Sequence, residues 1–222
     1  MPSERIAELM AGRIPDRLPW VPELNAGFVR KTLGRAAPAR NIATDATGEQ
    51  EGGQAVAEDY PAMEAECAAK IGADHLHRTS SVAVRRQKVT IEADKATGAT
   101  VVHTPAGQLR QRQQWDKVSG TVFTREHMVK GPEDFAAYAA MRQDEVYEPN
   151  YAAAEAELAR SGLLTIDVPA TPLMHLLMWI MDVQPTLLAM MDYRDEMVEP
   201  MAVMHEKNKE FYRLAAAGPA AV

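Results

Sequence analysis

The sequence has little cysteine, no excess of positive charge and few long apolar runs. Cys67 is the one cysteine among 222 residues, which excludes an internal disulfide and the multi-cysteine zinc frameworks. Lys and Arg number 24 against 31 Asp and Glu, and the formal net charge is −7. Because the basic residues are spread along the chain, they form no stripe that could follow nucleic-acid phosphates. We therefore expect no nucleic-acid partner and no metal site.

Membrane and export signals are also lacking. The most apolar stretch, Leu173–Met191, is interrupted by Asp182 and Pro185, so its pieces fall short of the roughly 20 residues that a membrane-spanning helix requires. The first residues, MPSERIAELMAGR, carry charges where an export signal needs an apolar core. The sequence thus predicts a cytoplasmic protein without a membrane partner, in which Leu173–Met191 forms packed helices.

Short apolar stretches alternate with helical patterns along the chain. The apolar stretches predict buried strands at Leu18–Val21 and Leu163–Val168, and a further strand is expected at Ala73–Arg78, after Gly72. Helical spacing, with Pro in first turns and Gly at the ends, predicts helices between and after them. This order of elements predicts an α/β fold with parallel strands. The last helix is expected over about Arg194–Ala217, with an apolar stripe of Met197, Val198, Met201, Met204, Phe211, Tyr212 and Ala215.

One region departs from that order. Between Arg85 and Trp115, apolar and polar residues alternate, with turn signals at Lys95–Gly98 and Thr104–Gly107. This pattern predicts an antiparallel β-hairpin followed by a third extended piece, inserted between the second and third parallel strands. The stretch Ala36–Gly53 has little apolar periodicity, so we expect a long loop there.

Four segments together resemble the first half of the uroporphyrinogen decarboxylase superfamily. They are AGRIPDRLPWVPE, KIGADHLHRTS, TPAGQLR followed by EHMVKGPEDFAAY, and TPLMHLLMWIMDVQ with the later YRDEMVEPM and AAAG. The superfamily includes corrinoid-linked methylcobamide methyltransferases and O-demethylases. The resemblance implies that residues 1–222 are the N-terminal portion of a uroporphyrinogen decarboxylase-type (β/α)₈ TIM barrel, with residues 85–115 as the inserted β-hairpin region.

The resemblance also implies where functional residues lie, because barrel enzymes place them at the carboxyl ends of the strands. Asp167 and His75 are expected to be catalytic and to share one pocket, with Asn25 nearby. His75 and His77 are two residues apart, so on a strand they share a face, and the sequence leaves open which face looks into the barrel. The residues expected to bind substrate are Asn25, Arg30, Arg78, Ser81 and His175.

Methyl transfer is the function that the resemblance favours. It moves a methyl group between a small methylated substrate, a corrinoid and a thiol or pterin-type acceptor. The alternatives are porphyrinogen decarboxylation, a lyase reaction of porphyrin biosynthesis, and an inactive, incomplete barrel that serves as a binding subunit. No cofactor is expected within this chain, and a corrinoid is expected as substrate or as the cofactor of a partner. Because an incomplete barrel has open sheet edges, we expect self-association or a second chain that completes the barrel.

Departures from the decarboxylase pattern generate a prediction. The family motif Arg-Gln-Ala-Gly-Arg is replaced by the longer stretch Arg30–Arg35, the aspartate that holds pyrrole N–H groups corresponds to Ser81, and the family tyrosine corresponds to Met178. An uncharged hydroxyl cannot accept several pyrrole N–H groups as a carboxylate does, so the chain should not convert uroporphyrinogen to coproporphyrinogen. Product chromatography against a no-protein control checks this, and a product peak that Arg30→Ala abolishes would contradict it.

Overall fold

The computed structural model describes residues 2–24, 26–35, 60–94, 96–116, 121–161 and 164–219, which form a mixed α/β fold. The loop expected at Ala36–Gly53 lies outside the described residues. The α-helices are α1 (Pro2–Met10), α2 (Ala26–Leu33), α3 (Tyr60–Ile71), α4 (Phe135–Gln143), α5 (Tyr151–Ser161), α6 (Pro172–His175), α7 (Val183–Asp192) and α8 (Arg194–Ala217). The strands are β1 (His77–Thr79), β2 (Val82–Arg85), β3 (Thr90–Asp94), β4 (Ala99–Thr104), β5 (Gly107–Asp116), β6 (Thr121–Glu126), β7 (Val146–Pro149) and β8 (Leu164–Ile166).

The described strands form three open sheets. β1 and β8 pair in parallel, β2 and β7 pair antiparallel, and β3, β4, β5 and β6 form a four-stranded antiparallel sheet in that order. Within the described ranges no sheet closes on itself. A 3₁₀ turn (Pro132–Asp134) leads into α4, and a π-helical turn (Leu176–Ile180) continues α6. None of the described helices is long and apolar enough to cross a membrane.

The antiparallel hairpin predicted between Arg85 and Trp115 is confirmed, and the sheet is larger than expected. β3 and β4 pair from Thr90 opposite His103 to Asp94 opposite Ala99, and β5 is the expected third piece. β6 adds a fourth strand that the sequence did not predict. Its described side chains are partly buried or exposed, so β6 carries no buried row that an alternating pattern could reveal.

The buried first strand expected at Leu18–Val21 is wrong. Leu18 is 80% exposed and Trp20 is 49% exposed, and these residues form no strand. The Trp20 carbonyl accepts the Asp74 N–H at 2.8 Å, and the Trp20 N–H donates to Asp74 Oδ2 at 3.0 Å. The hydrogen bonds of one residue do not make a strand. The Leu18 and Trp20 side chains are therefore not buried as the apolar run predicted.

The Asp74 carboxylate fastens the N-terminal segment to the chain that leads into β1. Its buried side chain accepts a hydrogen bond from Arg5 Nη1 at 3.0 Å and lies 3.3 Å from Arg17 Nη2. Burial alone would raise the pKa of Asp74, but the Trp20 N–H and the two guanidinium groups outweigh it, so this pKa lies below its ordinary value. Asp74 is therefore a structural carboxylate held by charge-assisted hydrogen bonds.

The two parallel strands are shorter than predicted, and the pair β2–β7 was not predicted. β1 begins at His77 rather than Ala73, and β8 has three residues. β2 and β7 have four residues each, and Val82 and Tyr147 are their buried positions. Strands this short present no run of alternating residues, which explains why the sequence pattern did not reveal them.

The largest core cluster lies between α4, the π-helical turn, α7, α8 and one face of the four-stranded sheet. Tyr138 of α4 is fully buried against side chains that include Val102 and Leu109 of the sheet. A second cluster joins α2 to α3 and includes Val29 and Cys67, both fully buried. Burial of this apolar surface is the main favourable contribution to folding.

α8 has the predicted bounds, but its buried stripe differs from the prediction. Val198 and Tyr212 are exposed because they lie about 100° around the helix from the buried row. Asn208 occupies the place in this row that the prediction left empty. The predicted residues that are buried are Met197, Met204, Phe211 and Ala215.

Asp144, at the junction of α4 and β7, holds the connection between β2 and β3. Its Oδ2 atom accepts the backbone N–H groups of Gln87, Lys88 and Val89 at 2.8, 2.8 and 2.9 Å. Burial alone would raise the pKa of Asp144, but these three donors outweigh it, so the pKa lies below its ordinary value. This carboxylate therefore fixes the start of the inserted sheet.

Glu145, the next residue, connects four parts of the fold through its buried carboxylate and its backbone carbonyl. Its carboxylate accepts hydrogen bonds from Arg86 at 2.7 Å, Arg142 at 3.2 Å and the Tyr147 hydroxyl at 2.8 Å. Its backbone carbonyl accepts a hydrogen bond from Lys207 Nζ of α8. Because the charge is buried, removing one partner would leave another group uncompensated, which is strongly destabilising.

We predict that Asp144→Asn lowers the free energy of unfolding at pH 7 by about 1–2 kcal/mol, because the amide replaces a charged acceptor of three N–H groups. Urea denaturation measures this change. Glu155→Gln, an exposed acid on α5, is the matched control and should change stability by less than about 0.5 kcal/mol. Equal effects of the two substitutions would contradict the prediction.

The same variant tests the pH dependence. The folded pKa of Asp144 lies below the unfolded value of about 3.9, so its contribution is fully present above that value and is lost as the pH falls through the folded pKa. Asp144→Asn has no such group to protonate. It should therefore lose less stability than the parent chain between pH 7 and about pH 3.

Candidate functional site

The carboxyl ends of the parallel strands β1 and β8 lie side by side. Thr79, the last residue of β1, is opposite Ile166, the last residue of β8. The N–H of Asp167 donates to the Thr79 carbonyl at 3.2 Å. The segments that follow β1 and β8 therefore leave the strand pair at the same place. We call this place the carboxyl edge and define it by Thr79, Ser80, Ser81 and Asp167.

Two polar side chains at the carboxyl edge have opposite surroundings. Asp167 is exposed, so its carboxylate is open to a ligand. Ser81 is fully buried, and its Oγ has no hydrogen-bond partner among the described residues. A buried hydroxyl without a partner costs about 1–3 kcal/mol, which a polar ligand atom or a bound water recovers. The edge thus combines an exposed acid with a buried hydroxyl.

Helix α8 fastens the segment that follows β8. The Tyr212 hydroxyl donates to the Pro169 carbonyl at 2.8 Å, and Asn208 Nδ2 donates to the Ala170 carbonyl at 2.8 Å. Asn208 is 3% exposed, and its Oδ1 has no partner within the described part of the chain. A second buried polar atom with free hydrogen-bonding capacity therefore lies beside the segment that leaves the carboxyl edge.

Sequence reasoning missed Asn208. It stands in the buried row of α8, four residues after Met204 and three residues before Phe211. A single amide in an otherwise apolar helical row can be recognised from spacing alone, because a buried amide needs specific hydrogen-bond partners. That signal was present in the sequence.

His175 is buried in the helix that follows the carboxyl edge. It is 2% exposed, and its N–H donates to the Thr171 carbonyl at 2.9 Å. Its ring meets the Trp179 ring edge-on, with centroids 5.4 Å apart and planes at 63°. This contact is that of a packed aromatic pair, and the substrate-binding role expected for His175 stays a prediction.

The structure does not bring His75 and Asp167 together. His75 precedes β1, and its Nε2 lies 3.8 Å from Glu64 Oε2 on α3, whereas Asp167 follows β8. Because β1 begins two residues after His75, the two residues flank opposite ends of the parallel pair, which corrects the expectation of one shared pocket. Asn25 lies outside the described residues. Arg78 is the middle residue of β1, and only its backbone is described.

Arg30 is a buried arginine on α2. It is 5% exposed, and no described acid forms an ion pair with it, while its Nε lacks a hydrogen-bond partner among the described residues. Arg35, by contrast, pairs with Glu66 of α3 at 2.8 Å. A buried guanidinium that no described acid compensates has the capacity to hold an anion.

His75 and His103 each lie near an acidic side chain. His75 approaches Glu64, and His103 lies 3.4 Å from Glu92 on the neighbouring strand. No group of three or more His, Cys, Asp or Glu side chains in the described ranges is arranged to hold a metal ion.

We predict that Asn208→Ala lowers the free energy of unfolding by about 1–2 kcal/mol, because it removes the buried hydrogen bond to the segment after β8. Tyr212→Phe removes the neighbouring, more exposed hydrogen bond and should cost less, about 0.5 kcal/mol. Urea denaturation of both variants provides the comparison. A larger loss for Tyr212→Phe than for Asn208→Ala would contradict the prediction.

The carboxyl edge supplies the chemistry from which a function can be proposed. Its groups are the exposed Asp167 carboxylate, the buried Ser81 hydroxyl and the nearby Asn208 amide. The chain matches no protein-family model, no curated protein and no solved structure.

Proposed function

We propose that this chain is the N-terminal part of a uroporphyrinogen decarboxylase-type (β/α)₈ barrel and that its carboxyl edge binds a small methylated substrate for corrinoid-linked methyl transfer. The observation that carries the proposal is the position of Asp167 directly beside the end of β1, through its hydrogen bond to Thr79. An acid at the shared carboxyl end of adjacent parallel strands is where barrel enzymes carry their chemistry.

The arrangement of helices supports the barrel part of the proposal. The chain leaves β8, forms α6 and α7, and then returns along α8, whose Asn208 and Tyr212 side chains hold the segment just beyond β8. A helix that follows a parallel strand and packs back against the same layer is the repeating unit of a (β/α)₈ barrel. In the proposed barrel the four-stranded sheet is an insertion between two barrel strands.

The groups of the carboxyl edge suit removal of a methyl group from oxygen. A corrinoid would supply the nucleophile that takes the methyl group, and the carbon–oxygen bond would then break with its electron pair left on the oxygen. That oxygen then needs a proton, which Asp167 transfers to it from solvent in the proposal. Ser81 Oγ and Asn208 Oδ1 are buried hydrogen-bonding atoms that orient the substrate. The corrinoid belongs to the substrate or to a partner.

Porphyrinogen decarboxylation is the second candidate, and Arg30 is the observation that favours it. A buried guanidinium with no acid partner in the described part of the chain is suited to the carboxylates of such a substrate. Against it stands the absence of a carboxylate at Ser81, where the family holds its pyrrole N–H groups. We therefore place methyl transfer first. The cytoplasmic location and the catalytic role of Asp167 are part of the same proposal, and His75, which precedes β1 at the opposite end of the strand pair, has no role in it.

The test is methyl transfer from a methoxylated aromatic compound to reduced cobalamin, followed by the visible absorption of the methylated product. We expect Asp167→Asn to lower the rate by about 100-fold or more, which is the usual contribution of a general acid. Asp195→Asn, an exposed acid on α8, is the matched control and should keep the parent rate. Because Asp167 is exposed, neither substitution should change the urea midpoint by a measurable amount.

Three results would count against the proposal. One is equal activity of the parent chain and Asp167→Asn, because the acid would then have no role. Another is a chain that neither alters the cobalamin spectrum nor transfers methyl groups. The last is formation of coproporphyrinogen by the same preparation, which would favour decarboxylation.

A further inference from the structure

Helix α7 presents its large apolar side chains to solvent. Its buried residues are Thr186 and Ala189, which are small. Helices of a folded domain ordinarily bury their large apolar residues and expose polar ones, so α7 has the reverse arrangement. The exposed side chains, which we call the α7 face, are Val183 at 53%, Leu187 at 50%, Leu188 at 51%, Met190 at 39% and Met191 at 81% exposure.

The α7 face is continuous along the helix. Leu187 follows Val183 by four residues, and Met190 and Met191 follow Leu187 by three and four residues, so their side chains are neighbours on one side of the helix. Leu188 widens this side. Contiguous apolar surfaces of this kind mark interaction sites rather than ordinary solvent-facing helices. Two of the five residues are methionine, whose flexible side chains adapt to the shape of a partner.

Acidic residues stand at both ends of the α7 face. Asp182 caps the N-terminus of α7 by accepting the Val183 N–H at 2.7 Å. The other end has Asp192, Asp195 and Glu196, all exposed. Arg194 is the one basic residue between positions 182 and 199. The apolar face therefore has a strongly negative rim.

The negative charge of this rim favours one kind of partner for the α7 face over the others. In a symmetric antiparallel pairing of two copies, Asp182 of one copy would approach Asp192 and Asp195 of the other, and like charges at an interface are unfavourable. The negative surface of an anionic membrane is repelled for the same reason. A helix with an apolar stripe and flanking Lys or Arg residues satisfies both the apolar face and the rim.

We propose that the α7 face is the docking site for a basic amphipathic helix of a partner protein. The partner's apolar residues pack on Leu187, Leu188 and Met191, and its basic residues pair with the acids at the two ends. This inference does not depend on the methyl-transfer proposal, because it uses a different surface of the molecule.

The experiment uses the full chain and two synthetic helical peptides of about 18 residues, each with the same leucine stripe. One peptide has Lys on its polar face, and the other has Glu. Fluorescence anisotropy of the labelled peptides gives the dissociation constants. We expect the Lys peptide to bind and the Glu peptide to bind at least about tenfold more weakly, because charge complementarity selects between them.

Two variants tie the binding to the α7 face. The double substitution Leu187→Ser and Met191→Ser should weaken Lys-peptide binding by about tenfold or more, because it removes two apolar contacts. Leu18→Ser, at a leucine that is 80% exposed elsewhere, is the matched control and should bind as the parent does. All these side chains are exposed, so circular dichroism and thermal unfolding should match the parent. The peptide comparison needs no variant and stands if one fails to fold.

Several outcomes would overturn the proposal. Equal binding of the two peptides would remove the role of the acidic rim. Unchanged binding of the Lys peptide to the double variant would show that the peptide binds elsewhere on the molecule. A dimer in sedimentation that the double variant dissociates would assign the α7 face to a second copy of the chain. Binding to phosphatidylserine vesicles that is lost in the double variant would assign it to a membrane surface.

Discussion

The buried carboxylate of Glu145 is the contact on which most of the described fold depends. It accepts hydrogen bonds from Arg86, the first residue after β2, from Arg142 of α4 and from the hydroxyl of Tyr147 of β7. Its own carbonyl receives Lys207 from α8. Since these groups are largely withdrawn from water, each is stable only while the others are in place. A local turn between one helix and one strand thereby fixes the relative positions of four elements.

The Glu145 contact also positions the carboxyl edge, because α8 connects the two. Lys207 and Asn208 are adjacent in α8, and they bond the carbonyls of Glu145 and Ala170 respectively. α8 is therefore anchored to the α4–β7 junction and to the segment after β8 within two successive residues. Asp144, beside Glu145, fixes the connection into the four-stranded sheet. Asp144 and Glu145 therefore help to position α8, the inserted four-stranded sheet and the candidate site.

The elements that could be predicted from the sequence are those whose signal is local. The bounds of α8 and the hairpin of β3 and β4 follow from periodicity and turn residues, and both are confirmed. The Leu18–Val21 strand failed because an apolar run indicates burial without saying which neighbour supplies it. β2 and β7 depend on each other across more than 60 residues of chain, and four-residue strands give no periodic signal.

The candidate site shows the same division between local and long-range information. Asp167 was found because an acid after an apolar strand is a local pattern. The separation of His75 from Asp167 depends on where β1 begins, and this is set by its pairing with β8 rather than by its own residues. Asn208 had a local signal in its spacing, but its partner at Ala170 is 38 residues away.

The π-helical turn at Leu176–Ile180 has a consequence for insertions and deletions in this chain. The Met181 N–H reaches back five residues to the Leu176 carbonyl, at 2.9 Å, so the turn contains one residue more than an α-helix would. The carbonyl of Ile180 is left to accept the Val129 N–H at 3.0 Å, just beyond the four-stranded sheet. Loss of one residue here would restore ordinary helical winding and leave His175 and Ile180 at nearly the same rotation about the helix axis, because the wider π-turn and an α-turn each close one turn of backbone. This turn therefore accommodates a change of one residue in chain length while the rotational phase between the buried histidine and the sheet is kept.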